Sequence, residues 1–275
     1  MTTTHHLPSA RPAGATGQRV TLVRVVRSEW TKLRSVPSTA WSLLTAVVLI
    51  VGFGTLYCVL RVTRPPSDPA AVAAFDPTAV SLTGAQLAQL AVGVLGVLLV
   101  AGEYATGTIR VTLAAVPRRL PVLWGKAVVF ALTTLGLCLP ATLAAFLVGQ
   151  SILSAERLDT SLGDPGVARA VVGSALLLSA VGLLGLGLGA LLRSTAGAVA
   201  ALFGLLFGPQ LLTGLLPATW SDTLYRYLPV PAGAAVANAR PDPAALGPWS
   251  GFALFCLYTA VVLALAAWQL RRRDA

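Results

Sequence analysis

The stretch AVVGSALLLSAVGLLGLGLGALL, Ala170 to Leu192, contains no charged residue and only two hydroxyl side chains. A helix needs about 20 apolar residues to cross a hydrocarbon core about 30 Å thick, and this stretch is long enough. Five other uncharged runs of similar length occur, at 35–60, 77–102, 127–155, 194–221 and 243–270. We therefore predict six transmembrane helices, near 40–60, 84–103, 123–149, 169–192, 196–216 and 249–270.

The composition supports an all-α integral membrane protein. Of the 275 residues, 56% are hydrophobic and 11% are charged, whereas about a quarter of the residues in soluble domains are charged. A further uncharged run at 227–239 is too short to span and contains Pro229 and Pro231. We predict a re-entrant or interfacial segment there, before span 6.

The basic residues predict the orientation. Six spans place both termini on one side, and Lys and Arg are concentrated on the cytoplasmic side of membrane proteins. With cytoplasmic termini, 14 of the 20 basic residues lie inside. They are Arg11, Arg19, Arg24, Arg27, Lys32, Arg34, Arg110, Arg118, Arg119, Lys126, Arg193, Arg271, Arg272 and Arg273.

The domain organisation is simple. Residues 1–18 are rich in Pro, Thr and Ala without an apolar core, which predicts a disordered cytoplasmic leader, and 19–275 form one six-span domain. Asn238 is the only asparagine, and Lys32 and Lys126 are the only lysines. This skew is typical of GC-rich codon usage and indicates a bacterial source, hence a bacterial plasma membrane.

Residues 20–35, VTLVRVVRSEWTKLRS, predict an amphipathic helix before span 1. Its apolar stripe consists of Val23, Val26, Trp30 and Leu33. Pro37 ends the pattern, and Glu29 is spaced to pair with Lys32. A basic amphipathic helix belongs at the membrane interface, and a plain interfacial anchor would explain the pattern equally well.

The stretch GEYATGTIRVTLAAVPRR, Gly102 to Arg119, interrupts the apolar sequence between spans 2 and 3. Glu103 marks the inner end of span 2, and a Thr-Gly-Thr turn follows at 106–108. Apolar residues then recur at helical spacing up to Pro117, at Ile109, Leu113 and Val116. A helix of about two turns is stable only when it packs on something, and its apolar stripe could lie against the membrane or against the first helix. Its polar end would remain free to meet a soluble partner.

Two segments resemble the type-2 ATP-binding-cassette (ABC) exporter permeases: SEWTKLRSVPST at 28–39 and GEYATGTIRVTLAAVPRRLPVLWGK at 102–126. The resemblance implies six spans, cytoplasmic termini, an elbow helix at 20–35 and a short cytoplasmic coupling helix near 108–116. It assigns Glu29, Trp30 and Lys32 to the elbow. It assigns to the ATPase interface Glu103, Thr106, Gly107, Thr108, Ile109, Arg110, Leu113, Arg118 and Arg119.

The sequence contains no Gly-x-x-x-x-Gly-Lys-[Ser/Thr] phosphate-binding motif and no acid–base pair or metal-ligand cluster within the spans. We therefore expect no cofactor, metal or catalytic activity in this chain, with ATP and Mg²⁺ bound by a partner ATPase. The spans carry no charge in their middle, which argues against a proton relay. No nucleic-acid partner is expected.

The polar residues that remain within the spans are amides. Gln86 and Gln89 share one side of span 2, and Gln210 lies in span 5. In the resembled family these spans flank the translocation path, so the three glutamines are predicted to line it. Hydrogen bonding between helices explains them equally well.

Two pairs of glycines have the spacing of close-packed membrane helices: Gly185 with Gly189, and Gly204 with Gly208. Small residues four apart allow two helices to approach closely. The sequence is compatible both with packing of these pairs within the chain and with an interface between two subunits.

These observations predict a permease subunit of an ATP-driven exporter that moves a drug, lipid or peptide-like substrate out of the cytoplasm. Its expected partners are the bilayer, an ABC ATPase and a second permease subunit, identical or different. The alternative is a non-transporting membrane anchor or sensor that docks a cytoplasmic partner. An intramembrane enzyme is disfavoured because no catalytic constellation is present.

Overall fold

The computed structural model describes residues 22–64, 68–108, 119–213, 217 and 223–272. Within these ranges every regular element is helical. Eleven α-helices can be followed there, and a π-helical turn at Leu49–Phe53 joins the second to the third. The helices are α1 Leu22–Ser35, α2 Pro37–Val48, α3 Gly54–Thr63, α4 Pro69–Ala74, α5 Pro77–Ser81, α6 Thr83–Ala105, α7 Arg119–Leu153, α8 Val167–Leu192, α9 Thr195–Thr213, α10 Pro229–Ala234 and α11 Pro248–Arg272.

Five helical segments are long and apolar enough to cross a membrane, and they coincide with five of the predicted spans. The fifth predicted span, 196–216, corresponds to a shorter apolar helix at Thr195–Leu211, and its predicted end lies outside the described residues. The chain is therefore a multi-pass membrane protein, and a sixth span stays a prediction. The five segments are Pro37–Thr63, Thr83–Ala105, Leu120–Glu156, Val167–Leu192 and Pro248–Arg272.

Helix α8 forms the centre of the bundle. It packs against α6, α7, α9 and α11. Within its most apolar window 72% of the residues are buried, compared with 22% for Pro37–Thr63. An uncharged sequence suits this position because a charge there would have neither water nor a nearby partner. The α2–α3 segment lies instead at the edge of the bundle.

Glycines bring α6 and α8 into backbone contact. A β-carbon at Gly96 would collide with the carbonyl of Gly182, and one at Gly185 would collide with the carbonyl of Gly93. By contrast, a β-carbon at Gly204 or Gly208 would meet nothing within 4 Å. The pair Gly185 and Gly189 therefore packs against α6 within the chain, whereas the pair Gly204 and Gly208 on α9 has open space beside it.

Helix α1 occupies the position of the predicted elbow helix, and the face that it packs into the bundle shares only Leu33 with the predicted apolar stripe. The buried residues are Val25, Glu29 and Leu33, whereas Trp30 is 42% exposed. Helix α7 packs closely against this face, since a β-carbon at Gly125 would lie 2.9 Å from Val25 Cγ1. The glycine lets α1 approach along its 25–29–33 face, and the interfacial role of the helix stays a prediction.

A short helix, α10, lies where the non-spanning segment 227–239 is predicted. Pro229, Pro231, Ala232 and Gly233 are buried in it. It packs mainly against α11. Its depth in the membrane, and hence its re-entrant character, stays a prediction.

Other predictions fall on residues that the structure does not describe. These are the leader at 1–18, the first two residues of the elbow helix at 20–35 and nearly all of the coupling helix at 108–116. The predicted interface residues Ile109, Arg110, Leu113 and Arg118 are among them.

Candidate functional site

Three helices meet at a buried lysine, Lys126 of α7. Its Nζ lies 2.6 Å from Glu29 Oε2 of α1 and 2.7 Å from Glu103 Oε1 of α6. The side chains are 3%, 5% and 17% exposed, respectively. These short, charge-assisted hydrogen bonds tie α1, the end of α6 and the start of α7 to one point.

The second lysine completes the cluster at its surface. Lys32 Nζ lies 3.0 Å from Glu29 Oε1 and 3.6 Å from Glu103 Oε1, and its side chain is 41% exposed. Glu29, Lys32, Glu103 and Lys126, called the charge cluster below, therefore sum to zero formal charge. This balance matters because burying a charge without a partner costs roughly several kcal/mol, even after the protein has relaxed around it.

Local sequence explains where the carboxylates lie. Glu103 stands in the last turn of α6, where the helix dipole disfavours an anion, so the two lysines stabilise it there. The helix ends just beyond, because Gly107 adopts a left-handed φ of 72°. Thr106 Oγ1 donates to the Gly102 carbonyl at 3.0 Å, and the Thr106 and Thr108 hydroxyls share a hydrogen bond of 2.9 Å.

The structure brings together most of the described residues among the predicted partner-interface and elbow sites. Glu29, Lys32 and Glu103 belong to the charge cluster, and the 106–108 turn lies directly beside it. Trp30 lies outside the cluster, and Arg119 begins α7. Sequence reasoning did not select Lys126. Its available signal was rarity, since both lysines of the chain are in this cluster.

A cavity of about 680 Å³ adjoins the charge cluster, between α1, α2 and α6. One part of its wall is formed by the charge cluster and by hydroxyl side chains, and the other part is apolar. The hydroxyl residues are Ser35, Ser38, Thr39, Ser42, Thr106 and Thr108, and the apolar ones are Leu33, Val36, Leu95, Leu98 and Leu99.

Arg193 attaches the end of α8 to the same region. Its guanidinium carbon lies 5.2 Å from the centroid of the Tyr104 ring, next to Glu103 in the chain. The Nε and Nη2 atoms of Arg193 are buried without a hydrogen-bond partner among the described residues. A cation over an aromatic face is a stabilising contact that grows as water is excluded.

The glutamines predicted to line the path lie toward the end of the bundle opposite the charge cluster, but they do not all line one cavity. Gln86 and Gln89 line a cavity of about 270 Å³, and Asn238, which follows α10, lines it as well. Helix α9 contributes Leu206 and Phe207 to this wall, whereas Gln210 is half-buried further along the helix. Two of the three predicted glutamines therefore share a cavity.

Arg169 fastens the segment after α10 to α8. Its Nη1 donates to the carbonyls of Ala235 and Val236, both at 3.3 Å, and its Nη2 donates to that of Ala239 at 3.2 Å. Gly173, one turn along α8, lets the chain approach, since its β-carbon would lie 2.7 Å from the Val236 carbonyl carbon. In the predicted topology Arg169 is one of the six basic residues on the outer side, and the sequence did not indicate its contacts.

Gln150 is the amide that joins helices. Its Nε2 donates to Ser81 Oγ at 2.8 Å and to the Pro77 carbonyl at 3.2 Å, and its Oε1 accepts from Thr160 N at 2.8 Å. All its hydrogen-bonding atoms are thus engaged, as expected for a side chain that is 8% exposed. The sequence did not single it out.

The polar contacts of these sites join helices through ion pairs and hydrogen bonds. Among the residues that the structure describes, no group of three or more His, Cys, Asp or Glu side chains is placed to hold a metal ion. The Lys126 end, meaning the end of the bundle that carries the charge cluster, connects four helices through charged contacts. The opposite end holds the small amide-lined cavity.

Comparison with protein families gives a match over most of the chain. The sequence model of the family described as "ABC-2 family transporter protein" matches residues 33–275. The matched range starts near the end of α1 and includes every later helix. A search of the curated proteins finds no match.

Proposed function

The chain belongs to the ABC-2 family of transporter membrane proteins, and from this premise we propose that it is the permease subunit of an ATP-driven exporter. A separate ABC ATPase binds ATP and Mg²⁺ and supplies the energy. The family match, which agrees with the resemblance at 28–39 and 102–126, concerns transporter permeases that are not themselves catalytic. Drugs, lipids and peptide-like molecules remain the candidate substrates.

The observation that carries this proposal is the position of the charge cluster on both sides of residues 109–118. Glu103 precedes this segment and Lys126 follows it, and their side chains are 2.7 Å apart. Glu29 joins α1 to the same point. In the proposed mechanism the ATPase contacts 108–116, and its motion reaches α6, α7 and α1 together.

The proposed orientation places the Lys126 end in the cytoplasm with both termini. It rests on the 14 of 20 basic residues that six spans would assign to that side. The cavity lined by Gln86 and Gln89 then lies toward the outside, beneath α10. ATP binding and substrate binding would favour the same rearrangement of α6 and α7, which is what couples them.

A second permease subunit, identical or different, completes the proposed exporter. The open glycines Gly204 and Gly208 on α9 support a helix–helix contact outside this chain, because small residues at this spacing favour close association in membranes. In this arrangement each half of the exporter binds one ATPase.

The test is purification of the tagged chain from its own membranes, followed by reconstitution and measurement of ATP hydrolysis. In the same proteoliposomes, ATP-dependent flux is measured for a panel of drugs, lipids and peptides. The Arg110→Ala variant should lose bound ATPase and ATP hydrolysis about tenfold, equivalent to 1.4 kcal/mol. Arg64→Ala, at an exposed arginine beyond α3, is the matched control and should change neither.

Two outcomes would contradict parts of the proposal. An Arg110→Ala variant that keeps its ATPase and its ATP-dependent flux would show that 108–116 is not the contact. A retained partner with no ATP-dependent flux for any substrate class would favour the membrane anchor or sensor.

A further inference from the structure

Two tryptophans of the chain are followed four residues later by an arginine: Trp30 by Arg34 in α1, and Trp268 by Arg272 in α11. Residues four apart lie on the same face of a helix, so each arginine can reach its tryptophan. The guanidinium carbon lies 5.7 Å from the indole centroid in α1 and 4.3 Å from it in α11. All four side chains are exposed, so both pairs face away from the bundle.

Both tryptophan–arginine pairs lie at the Lys126 end. Helix α1, which carries Arg34, is held to Lys126 through Glu29. Helix α11 starts against α10 at Gly251, at the opposite end, and its 25 residues then extend about 37 Å along α8 to Arg272. One pair therefore precedes the spanning segment Pro37–Thr63, and the other ends the segment Pro248–Arg272. Tryptophan is enriched at this level of membrane proteins, where the lipid headgroups lie.

The arginines of the two pairs have no carboxylate within reach. The acids that the described residues place at this end, Glu29 and Glu103, are held by the two lysines of the charge cluster. Among the described residues, Arg34 and Arg272 form neither an ion pair nor a hydrogen bond. A guanidinium stacked on a ring keeps its N–H donors, which lie in its own plane and match two phosphate oxygens.

An arginine–aromatic pair at the opposite end of Pro37–Thr63 differs in both respects. Arg61 lies over the Tyr57 ring at 5.0 Å, and its Nη2 donates to the Tyr57 hydroxyl at 2.6 Å. Asp68 and Asp76 follow in the connection to α6 and add negative charge there. An anion is therefore favoured at the two tryptophan–arginine pairs over the Arg61 pair.

We propose that each tryptophan–arginine pair binds the headgroup of one anionic phospholipid. The guanidinium of Arg34 or Arg272 donates two hydrogen bonds to the phosphate oxygens, and the indole holds the guanidinium in place. Bidentate, charge-assisted contacts of this kind are strong. A zwitterionic headgroup carries the same phosphate, but its ammonium group offsets the charge, so the anionic lipid is preferred. This interaction goes beyond the proposed function and depends neither on an ATPase nor on the direction of transport.

The experiment titrates the full chain in detergent with phosphatidylglycerol or with phosphatidylcholine of the same acyl chains. Native mass spectrometry resolves the one-lipid and two-lipid complexes and gives their dissociation constants. Phosphatidylglycerol should bind about fivefold more tightly at each of the first two steps, because a basic residue near an anionic lipid contributes about that factor. Equal affinities for the two lipids overturn the proposal.

Three variants locate the binding. Arg34→Gln and Arg272→Gln should each abolish the preference for phosphatidylglycerol at one of the two steps, and the double variant should reduce it to within about twofold at both. Arg61→Gln is the matched control, since it removes the same charge from an arginine–aromatic pair and should leave both preferences unchanged. A double variant that keeps the preference overturns the assignment to these pairs. An equal loss in Arg61→Gln overturns it as well, because net charge alone would then explain the binding.

Discussion

Lys126 Nζ and Glu29 Oε2 lie 2.6 Å apart although 97 positions separate the residues in the chain. Both side chains are almost completely buried. Because Glu103 contacts the same ammonium group, Lys126 is shared between two carboxylates from two other helices. This single residue therefore holds α1 against the junction of α6 and α7.

Replacing Lys126 by Met should destabilise the fold by about 3 kcal/mol, since two buried carboxylates lose their main cationic partner. Lys32→Met is the matched control because Lys32 contacts the same carboxylates from a 41% exposed position. An exposed pair is worth about 0–1 kcal/mol. SDS-induced unfolding, followed by tryptophan fluorescence, measures both. Equal losses in the two variants would show that burial does not decide the strength of this cluster.

The two glycine pairs should respond oppositely to a methyl group. Gly185→Ala places a β-carbon against the Gly93 backbone and should destabilise the protein by about 1–3 kcal/mol. Gly204→Ala meets nothing within 4 Å in this chain and should leave the thermal unfolding midpoint of the monomer unchanged or raised. A large loss in Gly204→Ala that appears only in the dimeric fraction would instead identify α9 as a subunit seam.

The spans could be predicted because each depends on the length and the lack of charge of one continuous segment. The helices Thr83–Ala105 and Val167–Leu192 accordingly lie close to the predicted bounds 84–103 and 169–192. A non-spanning segment at 227–239 was predicted for the same reason, since two prolines and too few apolar residues argue against a span, and the helix α10 within it was not predicted.

Contacts between distant segments could not be predicted in this way. The two glycine pairs have identical spacing, yet Gly185 packs on α6 and Gly204 is open, because the neighbours differ. Likewise, the sequence did not show which face of α1 packs into the bundle. Val25 lies against Gly125 and Glu29 against Lys126, whereas Trp30 of the predicted interfacial stripe is exposed.

Arg169 should control the order of the segment that follows α10. Arg169→Gln removes charge-assisted hydrogen bonds to the Ala235, Val236 and Ala239 carbonyls, each worth about 1.5–3 kcal/mol. Amide hydrogen exchange in 229–239 should accelerate at least about tenfold, while exchange in α6 stays unchanged. Arg226→Gln, at an exposed arginine before α10, is the control. Similar exchange in both variants would mean that helix packing alone holds this segment.

Two amides, Gln150 and Gln89, should separate a structural role from a role in transport. Gln150→Leu leaves Thr160 N without its acceptor and removes the amide that donates to Ser81 Oγ, so it should cost about 2 kcal/mol of unfolding free energy. Gln89→Leu changes the wall of the 270 Å³ cavity, where its side chain is half-buried, and should leave stability within about 0.5 kcal/mol. If Gln89 lines the path, ATP-dependent flux in proteoliposomes falls in Gln89→Leu while ATPase binding is retained. Normal flux combined with a large loss of stability would instead assign Gln89 to helix packing, the role that Gln150 has.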